Sequence, residues 1–62
     1  MPVITMDSAA LAPGVKKALI GSLTRAAAEA TGLPEASFIV LLRELPADAI
    51  GIGGVPLSER RG

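Results

Sequence analysis

Ser37-Phe38-Ile39-Val40-Leu41-Leu42-Arg43-Glu44 is a run of strand length whose five residues 38 to 42 are all apolar. A half-exposed strand alternates apolar and polar side chains, so a run without alternation reads as a strand covered on both faces. Such a strand needs a neighbour. Working back, Val3-Ile4-Thr5-Met6 is rich in β-branched residues and ends at the turn formers Asp7-Ser8, which predicts a first strand over residues 2–7. Between the two, Pro13 suits the first turn of a helix, where its missing N–H has no partner to lose. Val15, Leu19, Leu23, Ala26, Ala27 and Ala30 then recur at helical spacing. Gly32 stands where a helix closes in the left-handed region, with Pro34 just beyond. Strand, helix and strand in this order predict a right-handed βαβ unit with parallel strands.

Forward of the run, Pro46-Ala47-Asp48 ends the second strand, and Ile50-Gly51-Ile52-Gly53-Gly54-Val55-Pro56 reads as a short glycine-rich hairpin or bulged ribbon. The tail, Ser58 to Gly62, is expected to be mobile or docked on a neighbour. The predicted fold class is α/β: a βαβ protomer with two parallel strands, one long helix and a short C-terminal hairpin, residues 1–62 forming a single domain.

A chain of 62 residues buries only roughly 60% of the surface its unfolded form exposes, and half of these residues are apolar. The ordering cost nearly cancels the gain from one small core, so further stabilisation is required. Without cysteine there are no disulfides, and without histidine as well a structural zinc is disfavoured. One Phe, with no Trp or Tyr, supplies little core volume. One helix covers only one face of a two-stranded sheet, so the other face and the edges are expected to meet further copies of the chain.

Six basic and six acidic residues balance to zero, which gives no electrostatic footprint for nucleic acid. The start MPVITMD lacks the features of a secretory signal, and no apolar run has membrane-spanning length. A soluble, cytoplasmic protein with no membrane or nucleic-acid partner is the expectation. The same missing residue types exclude thiolate and Ser-His nucleophiles and an ordinary metal site. Gly51 to Gly54 lack the strand-to-helix setting and the Lys-Ser/Thr of a phosphate loop.

Pro2 is the residue whose chemistry depends on position. Removal of Met1 leaves a secondary amine, and an α-amino group titrates near 8 in water, by order of magnitude, with apolar surroundings favouring the neutral form. The ring holds that nitrogen rigidly, so it can take a proton from one atom and return it to another.

MPVITM, Leu19-Ile20 in the helix, Leu42-Arg43-Glu44 at the end of the second strand, and Gly51-Ile52-Gly53-Gly54 before a tail ending Glu59-Arg60-Arg61 together resemble the 4-oxalocrotonate tautomerase family. The resemblance runs over nearly the whole chain; Pro2 and the GIGG segment are its specific parts. It implies a cofactor-free isomerase acting on a small-molecule substrate, with Pro2 shuttling protons in keto–enol tautomerisation of a 2-hydroxy-dienoate or 2-oxo acid. It also implies self-association into a homohexamer built as a trimer of dimers. Two departures stand out. The positions of the family's two substrate-binding arginines fall at Leu11 and Ile39, and that of its aromatic pocket wall at Ile50. A hydrophobic pocket is kept and a carboxylate clamp is lost, which weakens binding of a dicarboxylate.

Arg43 is the candidate substitute, since residues 39, 41 and 43 share one face of a strand. Its other reading is a partner for a carboxylate across a protomer interface. Two further functions stay open: a non-catalytic or partner subunit of a mixed hexamer, and proline-dependent hydration, dehalogenation or decarboxylation of small unsaturated acids.

Overall fold

The computed structural model describes residues 1–60. Strand β1 (Val3–Ala9), helix α1 (Pro13–Thr31) and strand β2 (Ile39–Leu45) are followed by a hairpin of β3 (Gly51–Ile52) and β4 (Val55–Pro56). Single 3-10 turns at Glu35–Ser37, Ala47–Ala49 and Leu57–Glu59 separate or close these elements. The predicted βαβ order and terminal hairpin are both present; Arg61 and Gly62, on which part of the tail reading falls, lie outside the described residues.

β1 and β2 pair in parallel, from Val3 opposite Ile39 to Ala9 opposite Leu45. β1 runs two residues past its predicted end. Asp7 and Ser8 stay in the ladder because Arg43 and Glu44 lie opposite them, and Asp7 there meets a guanidinium instead of turning the chain. β2 starts two residues late. Ser37 closes a turn instead, its hydroxyl donating to the Pro34 carbonyl at 2.8 Å, and the Phe38 N–H bonds the Glu35 carbonyl at 3.1 Å.

Helix α1 begins and ends at the predicted residues. Ala12 is extended (φ −63°, ψ 148°) and its carbonyl accepts the Lys16 N–H at 3.0 Å, with Pro13 first in the helix. At the far end Gly32 adopts φ 77° and donates to the Ala28 carbonyl at 2.9 Å. The half-buried face runs through Lys16, Leu19, Leu23 and Ala27 and packs mainly on β2. Val15, Ala26 and Ala30, expected in the apolar stripe, are exposed, because the stripe follows residues 19, 23 and 27 and leaves them to one side.

Val3, Thr5, Asp7 and Ala9 of β1 and Ile39, Leu41, Arg43 and Leu45 of β2 all lie exposed, opposite the half-buried Ile4, Ser8, Val40 and Leu42. No side chain among the described residues is fully buried. The molecule measures 42 × 23 × 17 Å with a radius of gyration of 14.7 Å. A compact chain of this length would have a radius of about 10 Å. The excess fits an elongated chain with no closed core of its own.

Gly53 and Gly54 connect β3 to β4 at φ 61° and 87°. Two successive positive φ values are what a type I′ hairpin turn demands, and glycine takes them without steric cost. The Leu57 N–H then closes back on the Ile50 carbonyl at 2.7 Å, fixing the turn after the hairpin against the residue before it.

Candidate functional site

The ladder register divides the sequence-predicted site residues into two groups. Pro2 heads β1, half-buried, and its carbonyl accepts the Ile39 N–H at 3.0 Å. Ile39 is therefore beside it, with Val3 and Leu41 on the same open face, 55% and 49% exposed. Met1 stands out from this end, 89% exposed. While Met1 is attached the Pro2 nitrogen is a tertiary amide; a basic lone pair exists only after its removal.

Leu11 and Ile50 are at the other end of the sheet, separated from Pro2 by the length of β1, about 20 Å at the usual rise of a strand. The Leu11 N–H donates to Glu44 Oε2 at 2.8 Å, and Glu44 Oε1 accepts from Lys16 Nζ at 2.8 Å. One carboxylate thus joins β2 to the β1–α1 connection and to the first turn of the helix. Lys16 and the Leu11 N–H hold the Glu44 carboxyl below the ordinary glutamate value of 4.5. Ile50 lines an open hollow of about 290 Å³ with Asp7, Ser8, Ala9, Leu45 and Leu57. Apolar surface dominates it, and among the described residues Asp7 is its only ionisable lining residue.

Arg43 lies between the two groups, on the open face as its strand position predicted. Its Nε donates to Asp7 Oδ1 at 2.7 Å and its Nη2 to Asp7 Oδ2 at 3.1 Å, a forked pairing of directly opposed residues. Within the single chain, the carboxylate that meets Arg43 is that of Asp7.

Sequence reasoning missed Asp7 and Glu44 as organising residues. Asp7 comes opposite Arg43 only through the ladder register, a constant offset from Val3–Ile39 to Ala9–Leu45 that the structure sets. Leu57 and Leu45 enter the hollow only through the folding of the hairpin, which local pattern does not encode. No cluster of side chains suited to hold a metal occurs among the described residues.

A parallel βαβ unit headed by proline, with one sheet face open and a short C-terminal hairpin, defines the class of small α/β protein to which the chain belongs. The family model described as "Tautomerase enzyme" matches residues 2–60. The chain belongs to the tautomerase family. It is similar to the "Probable tautomerase" of Ralstonia nicotianae, 51% identical over 43 residues, 69% of this chain. That match spans 61% of the Ralstonia protein's length. Among solved structures, a 4-oxalocrotonate tautomerase homologue of the tomaymycin biosynthetic pathway is 32% identical, with a TM-score of 0.92 over 95% of this chain and 92% of that one. A heterohexamer 4-oxalocrotonate tautomerase from Chloroflexus aurantiacus shares the fold, with a TM-score of 0.85, 24% identity and 98% of each chain covered.

Proposed function

We propose that the chain is a cofactor-free isomerase in which the Pro2 amine, freed by loss of Met1, catalyses keto–enol tautomerisation of a 2-hydroxy-dienoate or 2-oxo acid in the cytoplasm. The observation that carries this reading is the placement of Pro2. Its carbonyl is fixed at the head of a ladder beside apolar Ile39, and the methionine ahead of it stands in solvent where an aminopeptidase can reach it. The neutral amine takes the enol hydroxyl proton, the oxygen lone pair forms C=O, and the carbon–carbon π bond accepts the same proton from the proline ammonium. No electron leaves or enters.

The separation of the site residues supports a pocket whose remainder comes from a second copy. The hollow at Ile50, Leu45 and Leu57 is apolar and open, and the bare Pro2 end has no wall of its own. A homo-oligomer, expected as a trimer of dimers, brings one copy's hollow and Leu11 against another's Pro2 and Ile39, each copy serving as one tautomerase-like domain. A mixed assembly is the second reading, favoured by the likeness to the Chloroflexus heterohexamer and by the apolar character of the strand residues beside Pro2 among the described residues. Full activity of the pure homo-oligomer would argue against it.

The test combines intact mass with an enol ketonisation assay. Chains processed to Pro2 should turn over phenylenolpyruvate, Pro2→Ala should lose about 10² to 10⁴ in rate, and chains blocked by an extra residue ahead of Pro2 should be inactive. Equal activity in the blocked form sinks the assignment.

A further inference from the structure

Positive charge is placed unevenly on this molecule, and the placement bears on what the site accepts. Glu44 holds Lys16. Asp7 takes the forked edge of Arg43, and both side chains remain more than half exposed, at 55% and 64%. Around Pro2 the strands offer only Val3, Thr5, Ile39 and Leu41, while the acidic Glu35 precedes β2. Helix α1 ends in this direction without a basic residue in its last turn, so the partial negative charge of its C-terminus is uncompensated there. The hollow itself brings apolar surface, the Ser8 hydroxyl and the Asp7 carboxylate among the described residues. Among the described residues, the guanidinium bonded to a lining residue of the hollow is that of Arg43, already answered by the Asp7 carboxylate.

Resting on the reading of Pro2 as base and of the hollow as its wall, we propose that the Asp7–Arg43 pair sets substrate class, limiting the site to small enols that carry one carboxylate and an apolar remainder. Asp7 acts here as a specificity-determining residue through Arg43, and it performs no step of the reaction. A charge-assisted bond to an incoming carboxylate has to compete with a fork already made at 2.7 and 3.1 Å. An aryl or alkyl group fits the hollow of about 290 Å³ with no such competition.

The experiment compares kcat/KM for phenylenolpyruvate, a monocarboxylate, with that for a 2-hydroxy-dienedioate, a dicarboxylate, in the processed oligomer. The wild type should favour the monocarboxylate by at least about tenfold. Asp7→Asn releases Arg43 and should raise the dicarboxylate-to-monocarboxylate ratio of kcat/KM about tenfold, through KM for the dicarboxylate. Adding Arg43→Gln to Asp7→Asn should return the ratio to its starting value, a reversal that loosened structure would not produce. A wild type that uses the dicarboxylate equally well overturns the proposal, as does an Asp7→Asn protein with an unchanged ratio. Should Asp7→Asn not assemble, the wild-type ratio decides alone. Pro2→Ala separates the two claims: if it leaves both rates intact the base assignment fails, whereas an altered ratio concerns charge only.

Discussion

At the Leu45 end of the sheet, Glu44 joins strand, loop and helix, Asp7 and Arg43 bridge the two strands, and the hairpin folds back to enclose a hollow. At the Pro2 end, no side-chain hydrogen bond or ion pair among the described residues joins two elements. Backbone bonding alone sets that end, through the Ile39 N–H and the Pro2 carbonyl. On the proposed reading of Pro2 as the base, the difference bears on what each end contributes to the chemistry. A reacting amine needs surroundings that leave it neutral and accessible, and polar cross-links beside it would compete for its lone pair. A wall needs fixed shape, which ion pairs and a closed hairpin supply. One chain has built both but set them about 20 Å apart.

Subunit mixing puts the largest strain on that comparison. Ile50→Asp places a charge in the hollow and should cut turnover about 10²-fold without touching Pro2, since an unpaired carboxylate there is costly to desolvate. A chain whose Pro2 is blocked by an added residue should be inactive for the opposite reason. Co-assembled in equal amounts, the two defective chains should recover activity in about a quarter of the sites, those that draw Pro2 and the hollow from different intact halves. Mixed oligomers verified by native mass that stay inactive would mean that each chain works alone.

A smaller perturbation acts on the hairpin. Gly54 sits at φ 87°, and nothing lies within 4 Å of a Cβ added there, so backbone strain is the whole effect of a substitution. Gly54→Ala should cost about 1–2 kcal/mol by urea unfolding, and Gly54→Asn less, because asparagine enters the left-handed region more readily. Turnover should fall with the population of closed hairpin, since Ile50 and Leu57 are joined through it by the 2.7 Å bond. Loss of stability with full turnover in the remaining folded protein would detach the hairpin from the site.

Much of this was legible beforehand. Pro13 and Gly32 marked both helix ends because each carries a backbone constraint that is local to its own residue. The apolar run located β2 for the same reason, and Gly53-Gly54 located the hairpin turn. Asp7 and Ser8 misled because their turn preference is weak against a ladder that gives each a partner, a matter of register and not of propensity. Val15 misled because helical spacing alone does not say which neighbouring rows face the sheet. Pro2, Ile39, Leu11 and Ile50 could be picked out one by one, but their division between two ends follows from topology. Arg43 was visible as a charge on the open face; that Asp7 occupies its fork depends on pairing two segments 36 residues apart in sequence.

The smallest expected effect tests whether ion pairing is what orders the Leu45 end. Glu44 titrates below its ordinary value of 4.5 because Lys16 and the Leu11 N–H favour its charged form. A carboxylate with a depressed folded-state pKa adds stability that is complete above the unfolded value and is lost as pH falls through the folded one. Glu44→Gln should therefore lower Tm modestly at pH 7, where the pair is intact, and the gap from wild type should close as the solution is acidified below 4.5. The effect stays small because Lys16 and Glu44 side chains are 35% and 32% exposed, and water screens them. Glutamine keeps a carbonyl for the Leu11 N–H, so the variant isolates the charge from the hydrogen bond. A gap that persists unchanged into acid would assign the order of this end to packing around Leu11, and the contrast between the two ends would then be one of shape, with charge confined to Asp7 and Arg43.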